Sequence, residues 1–416
     1  MSTLESMPIT PAIPALSMSC VWRRGWGTRY VIAGCISQGI DGPPCVDDKA
    51  RKGVLDRRGR SAARSETSLG SAARERGAMA CNAARWRYAG HMAILVTGVA
   101  GFIGSACASA LLRRGDAVVG LDSYDELLYN RALKEQNLSW VRRHGDVECL
   151  EMDVCDAEGL TSLFKRHAIS GVVHLAALAG VRSSIQVPHR YYDTNITGTA
   201  RLLAAATAAG VQRFAIASSS SVYGGNKKVP FAETDVVAEP ISPYAASKAG
   251  MELVVRSHAS MYATNAALLR FFTVYGPRQR PDMAIHKFMR RIAAGEPIEM
   301  FGDGSSARDY TFIDDIVAGV LAAFDRVEGC RTYNLGGDHV VTLRELIECI
   351  EAVVGRPAQV LRREMQPGDM LVTMAELQRS RAELDYCPQT QLVTGLERMW
   401  EWMRDEAQET RYKQAG

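Results

Sequence analysis

The segment from Ala93 to Asp122 limits what this 416-residue chain can fold into more than any other. An apolar run, Ala93–Thr97, leads directly into Gly98, Gly101 and Gly104, a GxxGxxG pattern. Ser105–Arg114 then has helical spacing, Gly115 stops it, and a second apolar run, Ala117–Leu121, closes on Asp122. The order is strand, glycine turn, helix, strand, acid. A glycine turn bends tightly and lets a pyrophosphate approach the backbone. The helix start offers N–H groups and a partial positive charge to it. The third glycine permits close helix–strand packing, and the terminal acid accepts hydrogen bonds from an adenosine ribose. Gly98, Gly101, Phe102, Ile103, Gly104 and Asp122 are therefore candidate cofactor residues. The acid favours NAD over NADP, because a 2′-phosphate would face a carboxylate. Three glycines alone also occur in turns of other α/β proteins; the surrounding order selects the dinucleotide.

The alternation continues downstream. Val147–Met152, Gly171–Ala177 and Phe214–Ser218 read as strands, with helices over Ala157–His167 and Tyr191–Ala209. Strands alternating with helices predict a doubly wound parallel sheet of the Rossmann type. The expected division is residues 92–270 as the main cofactor domain and 271–416 as a smaller α/β lobe for substrate, with some elements exchanged between them. Asp153 stands where it can reach an adenine amino group or cap the following helix. Val154 beside it, small Ala176 and Ala177, and Asn195 complete the cofactor candidates; Asn195 and Thr199 share one helix face. His174 has no partner at ligand spacing, so it reads as packed and no metal is expected.

Hydrophobic residues make up 47% and charged residues 23%, ordinary for a globular protein. Residues 1–91 differ. They carry 14 Lys and Arg against 7 Asp and Glu, five prolines and no sustained period. They are expected to be a disordered or targeting extension, or no part of the protein, with Met92 as its start. The basic excess belongs to them, and nothing in the remainder marks a nucleic-acid binder. The ten cysteines are scattered without a CxxC, which favours reduced thiols and a cytoplasmic protein, with Cys107 and Cys149 as core thiols. No run approaches the roughly 18 apolar residues of a membrane span.

The fifth strand runs into Ser218, Ser219, Ser220 and Ser221, then Val222-Tyr223-Gly224. Further on stands ISPYAASKAG, Ile241–Gly250. Ser242 is a good N-cap and Pro243 a good first helical residue. Tyr244 and Lys248 then lie one turn apart on one face. A tyrosine with pKa about 10 is a poor base at neutral pH, but a nearby ammonium favours its phenolate. A strand-end serine hydroxyl beside them can hold a substrate oxygen. Such a set moves a proton from a sugar hydroxyl while hydride leaves its carbon.

GxxGxxG, the serine run and YxxxK in this order resemble the extended short-chain dehydrogenase/reductases, over essentially Ala93–Arg411. The resemblance implies Tyr244 as catalytic base, Lys248 as ligand of the nicotinamide ribose and Ser219 as the catalytic serine. Val99 departs from a frequent glycine in the turn. Segments LRFFTVYGPRQRPDMA (Leu269–Ala284) and IEMFGDGSSARDYTFIDDI (Ile298–Ile316) look like the family's nucleotide-sugar lobe, with Arg308 as diphosphate clamp and Thr273 at the substrate. Asp309, Asp314 and Asp315 fit structural roles there. QPGD at Gln366–Asp369 stands near the family's RxGD, with Gln366 for its arginine.

Dehydratases of the family carry Asp-Glu before Val-Tyr-Gly, and UDP-glucuronate decarboxylases a Glu at the position of Ser221; both acids are absent here. AGVRSSIQVP, SSSSVYGGNKKVPF and the Leu269–Ala284 segment look most like UDP-glucuronate 4-epimerases. That resemblance implies a UDP-sugar substrate and a recycled NAD. Arg280 would pair with the C6 carboxylate, Ser219, Ser220 and Ser221 would donate to it, and Arg182 would touch the substrate. A UDP-glucose or UDP-N-acetylhexosamine 4-epimerase stands as the alternative, and a non-catalytic NAD-binding protein as the reading from another class. The resemblance also implies a homodimer through the helix before Ala209 and the one after Tyr244.

Overall fold

The computed structural model describes residues 92–365 and 370–415. The readings made on residues 1–91 and on Gln366–Asp369 lie outside the described residues.

Strands β1 (Ala93–Thr97), β2 (Ala117–Asp122), β3 (Val147–Glu151), β4 (Ile169–His174), β5 (Arg213–Ser219) and β6 (Asn265–Phe271) alternate with helices. The helices are α1 (Phe102–Arg114), α2 (Arg131–Arg142), α3 (Ala157–Arg166), α4 (Val181–Gln186), α5 (Pro188–Tyr192), α6 (Thr199–Ala208) and α7 (Pro243–Tyr262). Later come β7 (Thr273–Tyr275), α8 (Ala284–Ala294), β8 (Ile298–Phe301), β9 (Ala307–Phe312), α9 (Ile313–Arg326) and β10 (Cys330–Leu335). The chain closes with β11 (Val340–Thr342), α10 (Leu343–Val354), β12 (Val360–Arg363), β13 (Val372–Thr373), α11 (Gln378–Leu384) and α12 (Leu392–Ala415).

The main sheet is parallel, in the order β10–β6–β5–β4–β1–β2–β3. This is a Rossmann-type doubly wound sheet with a smaller α/β lobe. Its strand order reverses between β1 and β4, which opens a crevice at their carboxyl ends. Alternating side chains build the two layers. Ile94 and Val96 face one core with Leu111, Leu138 and Val320 from α1, α2 and α9. Leu95 faces the other with Leu163, Leu203 and Val255 from α3, α6 and α7. His174 is buried between Thr97 Oγ1 at 2.7 Å and Thr199 Oγ1 at 2.9 Å, and burial pushes its pKa down to about 3. It is a packed, neutral histidine, as its isolation in the sequence suggests.

The long helix expected over Tyr191–Ala209 is interrupted. Asp193–Gly198 forms a π-turn between α5 and α6. The Asn195 amide donates to the Leu178 carbonyl and accepts from the Leu178 N–H, both at 2.9 Å. Thr199 Oγ donates to the Asn195 carbonyl at 2.7 Å. A Cβ on Gly198 would come within 2.6 Å of Val154. Side-chain bonds and close packing here override helical periodicity.

The smaller lobe holds β7, β9, β11 and β13 in one sheet, and β8 with β12 in another. β10 leaves it to extend the main sheet beside β6. Buried Asp309 accepts from the N–H groups of Gly337 at 2.5 Å and Ala375 at 3.1 Å, tying three segments together. Asp314 pairs with Arg398 at 2.7 Å, and Asp315 accepts from the N–H groups of Gln389 and Thr390. These acids are structural. Thr342 and Glu345 make a reciprocal capping box on α10. Leu396 and Met399 are among the buried residues of the last helix. Among the described residues no cluster could hold a metal ion, and no helix is long and apolar enough to cross a membrane.

Ser242 Oγ accepts from Ala245 N at 3.1 Å, and Pro243 is the first residue of α7. Ser242→Ala should destabilise the protein by about 1 kcal/mol, read as a lower urea midpoint at unchanged slope.

Candidate active site

The glycine turn is built by close approach. Gly98 has φ +69°, and a Cβ there would lie 2.8 Å from the backbone nitrogen of Ala176. A Cβ on Gly104 would overlap the Gly98 carbonyl oxygen. Helix α1 has no side-chain cap and no acid in its first turn. Its first N–H groups are therefore left for an anion. Val99 points away from the turn into the core, where glycine at position 120 makes room: a Cβ on Gly120 would meet Val99 Cγ1 at 2.7 Å. The departure from the usual glycine is absorbed one strand away.

Asp122 ends β2, buried. Its carboxylate accepts from Ala100 N at 3.1 Å and Tyr124 N at 2.9 Å, and pairs with Lys134 Nζ at 3.2 Å. Turn and acid line one cavity of about 400 Å³ that extends to the carboxyl end of β5. Its wall includes Gly98, Gly101, Phe102, Ile103, Gly104, Asp122, Asp153, Val154, Ala176 and Ala177. At the far end it includes Ser219, Ser220, Ser221, Tyr244, Thr273 and Arg280. Asp153 does not cap α3; Asp156 does, accepting from Gly159 N at 2.9 Å.

Ser219 ends β5, and its hydroxyl accepts from Ser221 N at 3.2 Å. Tyr244 packs edge-on against Tyr191, ring centroids 6.2 Å apart. Burial raises the Tyr244 pKa, against the opposing effects of a Ser219 hydrogen bond and the charge of Arg280. Lys248 sits one turn on, buried, donating to the Ala217 carbonyl at 2.8 Å. Burial pushes its pKa down to about 7, while Glu252 acts to raise it. In the protein alone, desolvation thus outweighs the activation expected for Tyr244. Arg280 Nε and Nη2 donate to both oxygens of Asp282, at 3.0 and 2.8 Å. Burial opposes its charge, but Asp282, with Tyr129 and Tyr244, outweighs this and raises the Arg280 pKa.

Four candidates lie off the cavity wall. Lys248 and Asn195 stand behind it, held by the Ala217 carbonyl and by Leu178 and Ser247. Arg182 is on the exposed face of α4, its guanidinium 4.9 Å over the Phe301 ring. Arg308 Nη1 donates to the carbonyls of Ala307 and Leu371, at 2.9 and 3.2 Å. Arg278 stacks 3.4 Å over Trp140 instead of facing the cavity. Among the wall residues that escaped sequence reasoning as site residues are Tyr129 and Lys134. The signal for Lys134 was its position: it shares the buried face of α2 with Asn137, Leu138 and Val141.

A glycine turn, a buried strand-end acid and a serine–tyrosine–lysine set around one cavity define a protein that works on its substrate with a nicotinamide dinucleotide. The chain belongs to the NAD dependent epimerase/dehydratase family, whose model matches residues 94–336. It is 38% identical over 312 residues to the UDP-glucuronate 4-epimerase of Thermodesulfobacterium geofontis (strain OPF15), covering 75% of this chain and 96% of that protein. The crystal structure of a Bacillus cereus UDP-glucuronic acid 4-epimerase, in complex with UDP-glucuronic acid and NAD, superposes with TM-score 0.70 at 33% identity. That match covers 76% of this chain and 100% of the other. The UDP-glucose 4-epimerase of Thermotoga maritima, solved with UDP-glucose, also gives TM-score 0.70, at 31% identity and the same coverages. The fold is an NAD-binding one, and the family's chemistry is epimerisation or dehydration of nucleotide sugars.

Gly104→Ala should weaken NAD binding at least tenfold, about 1.4 kcal/mol, because the added methyl displaces the Gly98 carbonyl. Calorimetric titration with NAD measures it.

Proposed function

We propose that the chain interconverts UDP-glucuronate and UDP-galacturonate by inverting C4 through a 4-keto sugar, with NAD held throughout. The observation that carries this reading is Arg280. It is a partly buried guanidinium, its side chain 13% exposed, in the wall of the same cavity as Ser219, Ser220, Ser221 and Tyr244, and it already grips a carboxylate with two nitrogens. Bidentate pairing is the geometry in which arginine recognises a carboxylate. The C6 carboxylate of the sugar would share or take the place of Asp282. The serines at 220 and 221 support the same reading, since they leave no acid before Val222 to expel a hydroxyl or assist decarboxylation.

Bound along the glycine turn and Asp122, NAD supplies a reversible hydride acceptor and a positive ring that favours a phenolate. Tyr244 takes the proton of the sugar O4 as the C4 hydrogen departs with its electron pair. Ser219 holds O4 by hydrogen bond, and Lys248 supports the negative phenolate across one helical turn. The keto sugar then turns over within the cavity. Tyr244 returns its proton to O4 as hydride is restored to the opposite face. Asp153 and Val154 are assigned to the adenine end, Ala176 and Ala177 to the backbone wall along the cofactor, and Asn195 to fixing that wall through Leu178. Arg308, Arg182 and Thr273 are assigned to the nucleotide-sugar side. The same reading includes a homodimer through α6 and α7, where Leu253, Met261 and Tyr262 are exposed.

Incubation with UDP-glucuronate and, separately, UDP-glucose without added NAD, followed by NMR of the C4 epimers, tests the reaction. Conversion of UDP-glucose alone would replace the acidic substrate with the neutral one. Tyr244→Phe should keep its fold and its NAD but lose at least about 100-fold in kcat. Arg280→Ala should raise KM for UDP-glucuronate roughly tenfold or more, and for UDP-glucose far less. Equal effects on the two substrates would refute the carboxylate role.

A further inference from the structure

Helix α7 carries Tyr244 in the cavity wall and Lys248 and Glu252 behind it, at successive i,i+4 positions on one face. Glu252 is 4% exposed. Its Oε1 accepts from Ser218 Oγ at 2.6 Å and from Arg270 Nε at 2.9 Å, and its Oε2 from Arg270 Nη2 at 2.7 Å. Arg270, 2% exposed on β6, lies 4.7 Å over the Tyr223 ring. The Tyr223 hydroxyl in turn donates to Asn334 Oδ1 on β10 at 2.6 Å. The carboxylate therefore joins α7 to the ends of β5 and β6, and through Arg270 and Tyr223 to β10, at a point where none of the proposed reaction steps needs it.

We propose that Glu252, clamped by Arg270 and Ser218, is a positioning residue that holds the Lys248 ammonium and the Ser219 end of β5 in register with Tyr244. The proposal rests on reading Tyr244 as the base. Two links carry it. The first is geometric. Ser218 is gripped by Glu252, and its neighbours in the strand are Ala217, whose carbonyl receives Lys248, and Ser219, which faces the cavity. Successive strand residues point to opposite faces, so fixing Ser218 fixes where Ser219 points. The second link is electrostatic. Among the described residues Glu252 is the one carboxylate acting on Lys248, and it opposes the burial that strips the ammonium of its proton. The other groups facing this pair do not replace it. His174 on β4 is held neutral between two threonines. Ser219, Tyr191 and Arg280 face Tyr244. Arg270 faces Glu252, and Arg256 lies 3.8 Å from the same carboxylate. Neutralising Glu252 leaves the ammonium harder to hold.

The test reads the Lys248 amine directly, by NMR pH titration of its ε-carbon in 13C-lysine-labelled protein, assigned against the matching Lys248→Met variant. Glu252→Gln should lower the Lys248 midpoint by about one pH unit or more, and Glu252→Asp, which keeps the charge, should return it toward wild type. An unchanged midpoint in Glu252→Gln, or equal shifts in the two variants, would overturn the proposal and leave Glu252 a structural ion-pair partner. If Glu252→Gln does not fold with Arg270 unpaired, Glu252→Gln/Arg270→Gln is titrated instead; a lowered midpoint supports the role and an unchanged one overturns it. The titration needs no sugar. Failure of the wild-type protein to turn over any sugar nucleotide would count against the proposed reaction, and a flat Lys248 midpoint against Glu252 alone.

Discussion

The structure depends on the contact between the start of α1 and the loop that ends β1. No Cβ fits at Gly104 beside the Gly98 carbonyl, and none fits at Gly98 beside the backbone of Ala176. Two backbones approach there more closely than side chains allow. This places the helix start over the crevice between β1 and β4, at the point where strand order reverses. The remaining site residues are arranged around the groove that this contact opens. Asp122 borders it from β2, Ala176 from the end of β4, and Ser219 from the end of β5.

The electrostatics at the far end show burial and charge in competition. Tyr244 and Lys248 are both pushed toward their neutral forms by desolvation. The groups acting the other way are few and specific: Ser219 and Arg280 on the phenol, Glu252 on the ammonium. A site of this kind is poised, because a positive ring or a substrate carboxylate entering the cavity changes the balance more than it would in water. Arg280 belongs to this balance as much as to recognition, since its charge reaches Tyr244 as well as whatever carboxylate it holds.

Much of the fold was legible because its determinants are local. GxxGxxG and the Ser242-Pro243 start of α7 each act within a few residues, and each forms as read; the Thr342–Glu345 box is equally local. The break at Asp193–Gly198 was not legible, because it depends on Leu178 and Val154, which are distant in sequence. Arg182, Arg278, Arg280 and Arg308 look alike as residues. Only packing against Phe301, Trp140, Asp282 and the Leu371 carbonyl, respectively, separates them. Lys134 reached the cavity unannounced for the same reason: its partner Asp122 lies on another element.

By itself, then, the sequence determined an alternating α/β chain with a dinucleotide turn and a tyrosine and lysine on one helical face. Periodicity, capping and glycine spacing are properties of neighbouring residues. The tertiary structure decided which charges share the cavity, that β10 returns to the main sheet, and that Glu252 and Arg270 stand behind the tyrosine and lysine. Those outcomes are set by contacts between residues far apart in the chain, where burial fixes the strength of each charge.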